Sequence, residues 1–172
     1  VAGAIHTSAG ASLTGSAASG VVLNGLGDVS LAFSANGALL DTFLIHQTNG
    51  NVTLNSELSV ESILELHQGN LIIGDNNVRL STNAHIAGGS LNSYVVTNGT
   101  GTLSILVEAG GPGVLFPCGS SDGYFPAQVL QGNGAADAHI NVRVDNGVLA
   151  EGTTGVDLTL TEPLVNHTWF VG

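Results

Sequence analysis

Thirteen carboxylates, six histidines, two arginines and one cysteine are the groups through which this 172-residue chain could do chemistry. Glu57, Glu61 and Glu65 recur every fourth position. A glycosidase needs two carboxylates ~5–10 Å apart, and a spacing of four delivers such a pair on a helix but not on a strand. On a strand these acids are solvated outward positions. A lyase would need a Lys or Arg base, for which only Arg79 and Arg143 are present. Cys118 has no sequence cue to a partner base, and no Gly-x-Ser-x-Gly elbow occurs. Packing beside Phe116 and Pro117 is its expected role, with a covalent link between subunits as the alternative. His6, His46, His67, His85, His139 and His167 are scattered, without the paired spacing of a transition-metal site. Calcium is the one cofactor candidate. Asp75-Asn76-Asn77 and Asp145-Asn146-Gly147 offer hard oxygen donors, and Asp137 could join them through folding. Neither an EF-hand loop nor a Gly-Gly-x-Gly-x-Asp repeat accompanies them, and turn chemistry explains the same residues. The expectation is no enzyme, no catalytic residue and no resident cofactor.

Composition narrows the partners. The formal charge is −11, and two separated arginines cannot build a phosphate-binding surface. Nucleic acid and anionic membrane surfaces are therefore excluded. No apolar run approaches the ~20 residues that span a bilayer, so membrane insertion is not expected. Charged residues are only 9%, so Asn, Ser, Thr and Gly must cover the surface. A lone cysteine excludes internal disulfides. The absence of lysine and methionine leaves little for trypsin-like proteases or oxidants, which suits an extracellular or cell-surface location. The opening at Val1, without a basic segment and apolar stretch, reads as a processed or excised chain.

The elements that must position these residues are strands. Residues 51–60 alternate apolar and polar side chains on a period of two, and so do 70–73, 78–80, 102–107, 139–144 and 156–160. Residues 60–67 could be scored as a short helix, but their neighbours argue strand. Asn49-Gly50, Gly69-Asn70, Gly88-Gly89, Asn98-Gly99 and Asn146-Gly147 mark turns, where these residue types tolerate positive φ. The chain is thus expected to be all-β. Short strands and short polar corners without a strict period fit a β-solenoid-like stack, and a β-sandwich remains open. Three regions follow: a small-residue arm or donor strand over 1–20, a solenoid or sandwich over 21–108, and an antiparallel part over 109–172. The Gly-Pro-rich joint at 109–113 and the aromatics beyond it suggest that the last region has its own small core.

Several segments in order carry a resemblance. Residues 51–59 followed by 64–74, then Gly89-Ser90 and 93–101, resemble a repeat unit of secreted bacterial surface proteins. Phe116-Pro117-Cys118-Gly119 with Tyr124-Phe125-Pro126-Ala127, and then Val165-Asn166-His167-Thr168-Trp169, are similar to the elements that follow it. Over roughly residues 39–171 the chain resembles the repeat-rich, adhesin-like proteins of bacteria with type IX secretion. The resemblance implies an extracellular β-rich structural or adhesive module with no catalytic residues. Cys118 departs from that pattern by replacing a plain aliphatic residue, and the chain stops just after the Trp169 strand, where relatives continue.

A strand ending without a partner leaves N–H and C=O groups that invite another chain. One reading is therefore a filament subunit assembled by strand donation between copies. Val1, Ala4, Ile5, Val21, Val22 and Leu23 would fill a neighbour at one end, and Trp169 and Phe170 would act at the other. The competing readings are a fragment of a larger adhesin and a carbohydrate-binding module that uses surface glycans as partners. Trp169 and Tyr124 are the aromatics for the latter. Asn51, Asn98 and Asn166 head glycosylation triplets of the kind an Asn/Thr-rich chain contains by chance.

Overall fold

A computed structural model describes residues 13–34, 38–148 and 167–172. No described residue is helical. The strands are β1 (Gly20–Leu26), β2 (Val29–Leu31), β3 (Leu39–Thr48), β4 (Val52–Leu54), β5 (Leu58–Gln68), β6 (Leu71–Ile72), β7 (Val78–Leu80) and β8 (His85–Gly88). They continue as β9 (Val95–Val96), β10 (Leu103–Val107), β11 (Val114–Phe116), β12 (Cys118–Ser120), β13 (Gly123–Tyr124), β14 (Ala127–Val129), β15 (Ala138–Asn146) and β16 (His167–Val171). The alternating segments predicted at 78–80 and 139–144 lie within strands, those at 70–73 and 102–107 contain β6 and β10, and residues 60–67 lie wholly within β5.

The chain winds as a β-solenoid of about four coils, followed by a small antiparallel part. Each coil lays one strand on a long sheet, turns a tight corner and lays a shorter strand on a second sheet. The long sheet runs β1-β3-β5-β7-β10-β15-β16, with β8 beside the far half of β5. The second runs β2-β4-β6-β9-β12-β13. Pairing within the stack is parallel, as a coil that always turns the same way requires. It becomes antiparallel where β15 joins β10, β16 joins β15 and β13 joins β12.

Alternation then builds the core directly, because residues of one parity face inward in every coil. Val21, Phe43, Leu64 and Ile86 stack in one column, and Leu23, Ile45 and Leu66 in the next. Phe43, Ile45 and Leu64 are fully buried. Each such side chain contributes about 1.5–3 kcal/mol relative to exposure. Phe116, Cys118, Val142 and Val144 belong to this same cluster. The separate C-terminal core expected from the aromatics is therefore replaced by one continuous core. Likewise β12 pairs parallel with β9, so the second sheet runs through the joint at 109–113.

The corners hold the coils in register. Gly27-Asp28-Val29, Gly50-Asn51-Val52 and Gly69-Asn70-Leu71 occupy equivalent positions. Asp28 Oδ1 accepts from the Asn51 N–H at 2.8 Å, Asn51 Oδ1 from the Asn70 N–H at 2.9 Å, and Asn70 Oδ1 from the Tyr94 N–H at 3.2 Å. At the opposite corner Asn77 Oδ1 accepts from the Thr102 N–H at 3.0 Å. These side chains satisfy backbone donors that the turn would otherwise leave unpaired. Expected to serve positive φ, the corner Asx residues mostly do something else: among described non-glycine residues only Asn49 has positive φ, at 57°.

Candidate functional site

The acids predicted as outward positions have separate partners. Glu57 Oε1 accepts from Asn77 Nδ2 at 3.1 Å, Glu61 Oε1 from Ser81 Oγ at 2.7 Å, and Glu65 Oε1 lies 2.5 Å from His67 Nε2. The three oxygen donors considered for calcium are likewise dispersed. Asp75 Oδ1 accepts from the N–H and hydroxyl of Thr100, which holds its carboxyl below the usual range. Asp145 pairs with Arg143 at 2.6 Å, and Asp137 Oδ1 accepts from the Ala109 N–H at 2.9 Å. Among the described residues no group of three or more His, Cys, Asp or Glu is placed to hold a metal ion.

Cys118 points into the core with no exposure, and burial pushes its thiol far above the ordinary range. That geometry corrects the alternative of an intersubunit covalent link, since a buried thiol is neither ionised nor reachable. A native sample should therefore resist iodoacetamide, with one equivalent of labelling appearing only on denaturation. Rapid labelling of folded protein would show that the core around Phe116 opens.

The two strands expected to meet a neighbour are the outermost of the long sheet. Among described residues no strand pairs with the far side of β1, and none pairs with the far side of β16. Their side chains divide by face. Leu23 is buried in the molecule's own core, and Val21 packs against it. Leu23 therefore cannot fill a neighbour's groove, contrary to expectation. Val22 and Leu26 of the same strand are 54% and 68% exposed. On β16, Trp169 is 37% exposed and donates Nε1–H to the Phe125 carbonyl at 3.0 Å, and Val171 is 54% exposed. Phe170 lies under the Arg143 guanidinium, 3.8 Å from ring centre to Cζ. Val1, Ala4 and Ile5 lie outside the described residues, as does the alternation at 156–160.

Sequence reasoning passed over a second feature. Ser59, Arg79, Ser104 and Asn141 are aligned across β5, β7, β10 and β15 on the outer face of the long sheet. With Glu57, Asn77 and Thr102 they line a groove of about 390 Å³. The only signal in the sequence was that each sits at a polar position of its alternating segment, which marks a face but not a row. Compared with known protein families, with curated proteins and with solved structures, the chain matches none.

Proposed function

We propose that the chain is a non-catalytic structural and adhesive module of an extracellular or cell-surface assembly, with copies joining end to end through the outer strands of the long sheet. One observation carries this reading. Of the seven exposed large apolar side chains among the described residues, Val22, Leu26, Trp169 and Val171 lie on the two outermost strands. Apolar groups placed on strand edges are what sheet augmentation uses, backbone bonds giving affinity and side chains giving register. Joining β1 of one copy to β16 of the next is a head-to-tail contact, and such a contact propagates unless its rotation closes a ring. The corner ladders and continuous core suit a stiff spacer.

Negative-stain microscopy of the concentrated chain tests this. Rods that lengthen with protein concentration are the expected result. Single short particles at every concentration would overturn the proposal.

A further inference from the structure

The row at Ser59, Arg79, Ser104 and Asn141 differs from its surroundings in one respect. Beside it, Glu57, Asn77 and Thr102 bond to one another: Asn77 Nδ2 donates to Glu57, while the Thr102 N–H and hydroxyl donate to Asn77. No hydrogen bond joins any of the row's four side chains to another described residue. For Ser104 this is costly. The residue is 3% exposed and its Oγ has no partner, although a buried hydroxyl is ordinarily satisfied. Arg79 is exposed, and among the described residues its guanidinium makes no ion pair in a chain with 13 carboxylates. Nearby on β15, His139 has an unpartnered buried Nδ1. Burial, followed by the Arg79 charge, lowers its pKa, which places the two groups in one field.

We infer that this groove binds an acidic glycan, with a uronic acid carboxylate on Arg79 and sugar hydroxyls on Ser59, Ser104 and Asn141. The guanidinium is a planar fork that takes a carboxylate through two parallel hydrogen bonds. Among the described residues the groove's one carboxylate, Glu57, already accepts from Asn77, which leaves one free cation among uncharged donors, a match for one carboxylate among hydroxyls rather than for a densely charged polyanion. The row also runs along the solenoid axis. Four strands about 4.8 Å apart give a track of roughly 14 Å, which is long enough for a few linked pyranose rings. At its end the groove shares Thr102 and Asn141 with a second hollow of about 380 Å³, on whose side Phe170 lies beneath the Arg143 guanidinium. The aromatics expected to bind sugar were Trp169 and Tyr124. In this arrangement Trp169 shares the face of buried Val144 and bonds to the Phe125 carbonyl, so the polar row alone does the recognition. The site lies on the sheet's outer face and does not depend on copies joining at their ends.

Titration calorimetry tests it, with a short hyaluronan oligosaccharide, in which uronic acids alternate with neutral sugars, at physiological salt. The same oligosaccharide with methyl-esterified carboxylates and a poly-glutamate peptide serve as comparisons. The acid form should bind, and esterification should weaken binding roughly tenfold to a hundredfold, as loss of a charge-assisted pair does. Arg79→Gln should have a similar effect. Arg143→Gln, which removes the same charge where Asp145 already occupies the guanidinium, should change affinity less than about twofold. Ser104→Ala should weaken binding severalfold without loss of thermal stability. No detectable heat with the acid form, or equal binding of the ester, would overturn the inference, and the ester comparison requires no variant to fold. Equal loss in both arginine variants would reduce the effect to net charge and overturn the assigned site. Equal binding of poly-glutamate would refute glycan recognition.

Discussion

Gly50→Ala should lower the unfolding free energy by about 3 kcal/mol or more, enough to remove much of the stability of an ordinary domain at about 5–15 kcal/mol. A Cβ built on Gly50 falls 2.1 Å from both the carbonyl carbon and oxygen of Gly27, one coil away. Backbone is on the other side of that contact, so no side chain can swing aside. The first coil must lift from the second, which pulls the Asn51 N–H off Asp28 and opens the column beneath. Gly27→Ala supplies the comparison. Its φ of +83° strains any L residue, yet a Cβ there meets nothing within 4 Å. The cost should be about 1–2 kcal/mol. Urea titrations of the two variants measure the difference. Similar midpoints for both would show that coil-to-coil contact at this corner is looser than the geometry requires.

The second large effect concerns association. Replacing Val22 and Leu26 together with lysine should leave folding nearly unchanged, because both side chains are largely exposed on β1. Association between copies should weaken roughly a hundredfold or more, since lysines on an edge strand must be desolvated before another strand can pair with it. Salt offers an orthogonal check. A chain of charge −11 repels its copies, and that repulsion eases as salt rises or as pH falls toward the carboxylate range near 4. Wild-type association should therefore strengthen under both conditions. Sedimentation velocity reads both effects. Unchanged association in the double variant, or association weakened by salt and acid alike, would move the contact away from β1.

Much of this architecture was legible because alternation is a local property. At Val78-Arg79-Leu80 and 102–107 the inward residues are those named by parity, and they are buried. What parity does not encode is which strand lies beside which. Val29, Val52, Leu71, Val95 and Cys118 occupy one column, yet they fall 23, 19, 24 and 23 residues apart. Bulges between Leu40 and Thr42 and between Ile45 and His46 absorb part of that variation. No strict period exists to be found. The triplet of Gly, Asp or Asn, and an aliphatic residue at 27, 50 and 69 does mark the corners, but turn propensity alone hid its second role. Its side chains bond to the next coil, a partner visible only once the coils are stacked. The alternating stretch at 51–60 ran through a corner for a related reason: Leu58 and Val60 resume the even-numbered parity of Val52 and Leu54, so the three polar residues Asn55, Ser56 and Glu57, where the chain leaves β4 and enters β5, read as one missed beat. The groove was hidden in the same way, because Ser59, Arg79, Ser104 and Asn141 come from four separate segments and meet only through register.

Hydrogen exchange on β1, compared between dilute and concentrated protein, reaches the underlying issue most directly, because it reads the backbone groups themselves. The N–H groups of β1, Asn24 aside, that point away from β3 should exchange freely in dilute solution and become protected as copies add a strand there, while amides of the central β5 stay equally slow throughout. Exchange along β1 that is identical at both concentrations would contradict end-to-end joining through this strand.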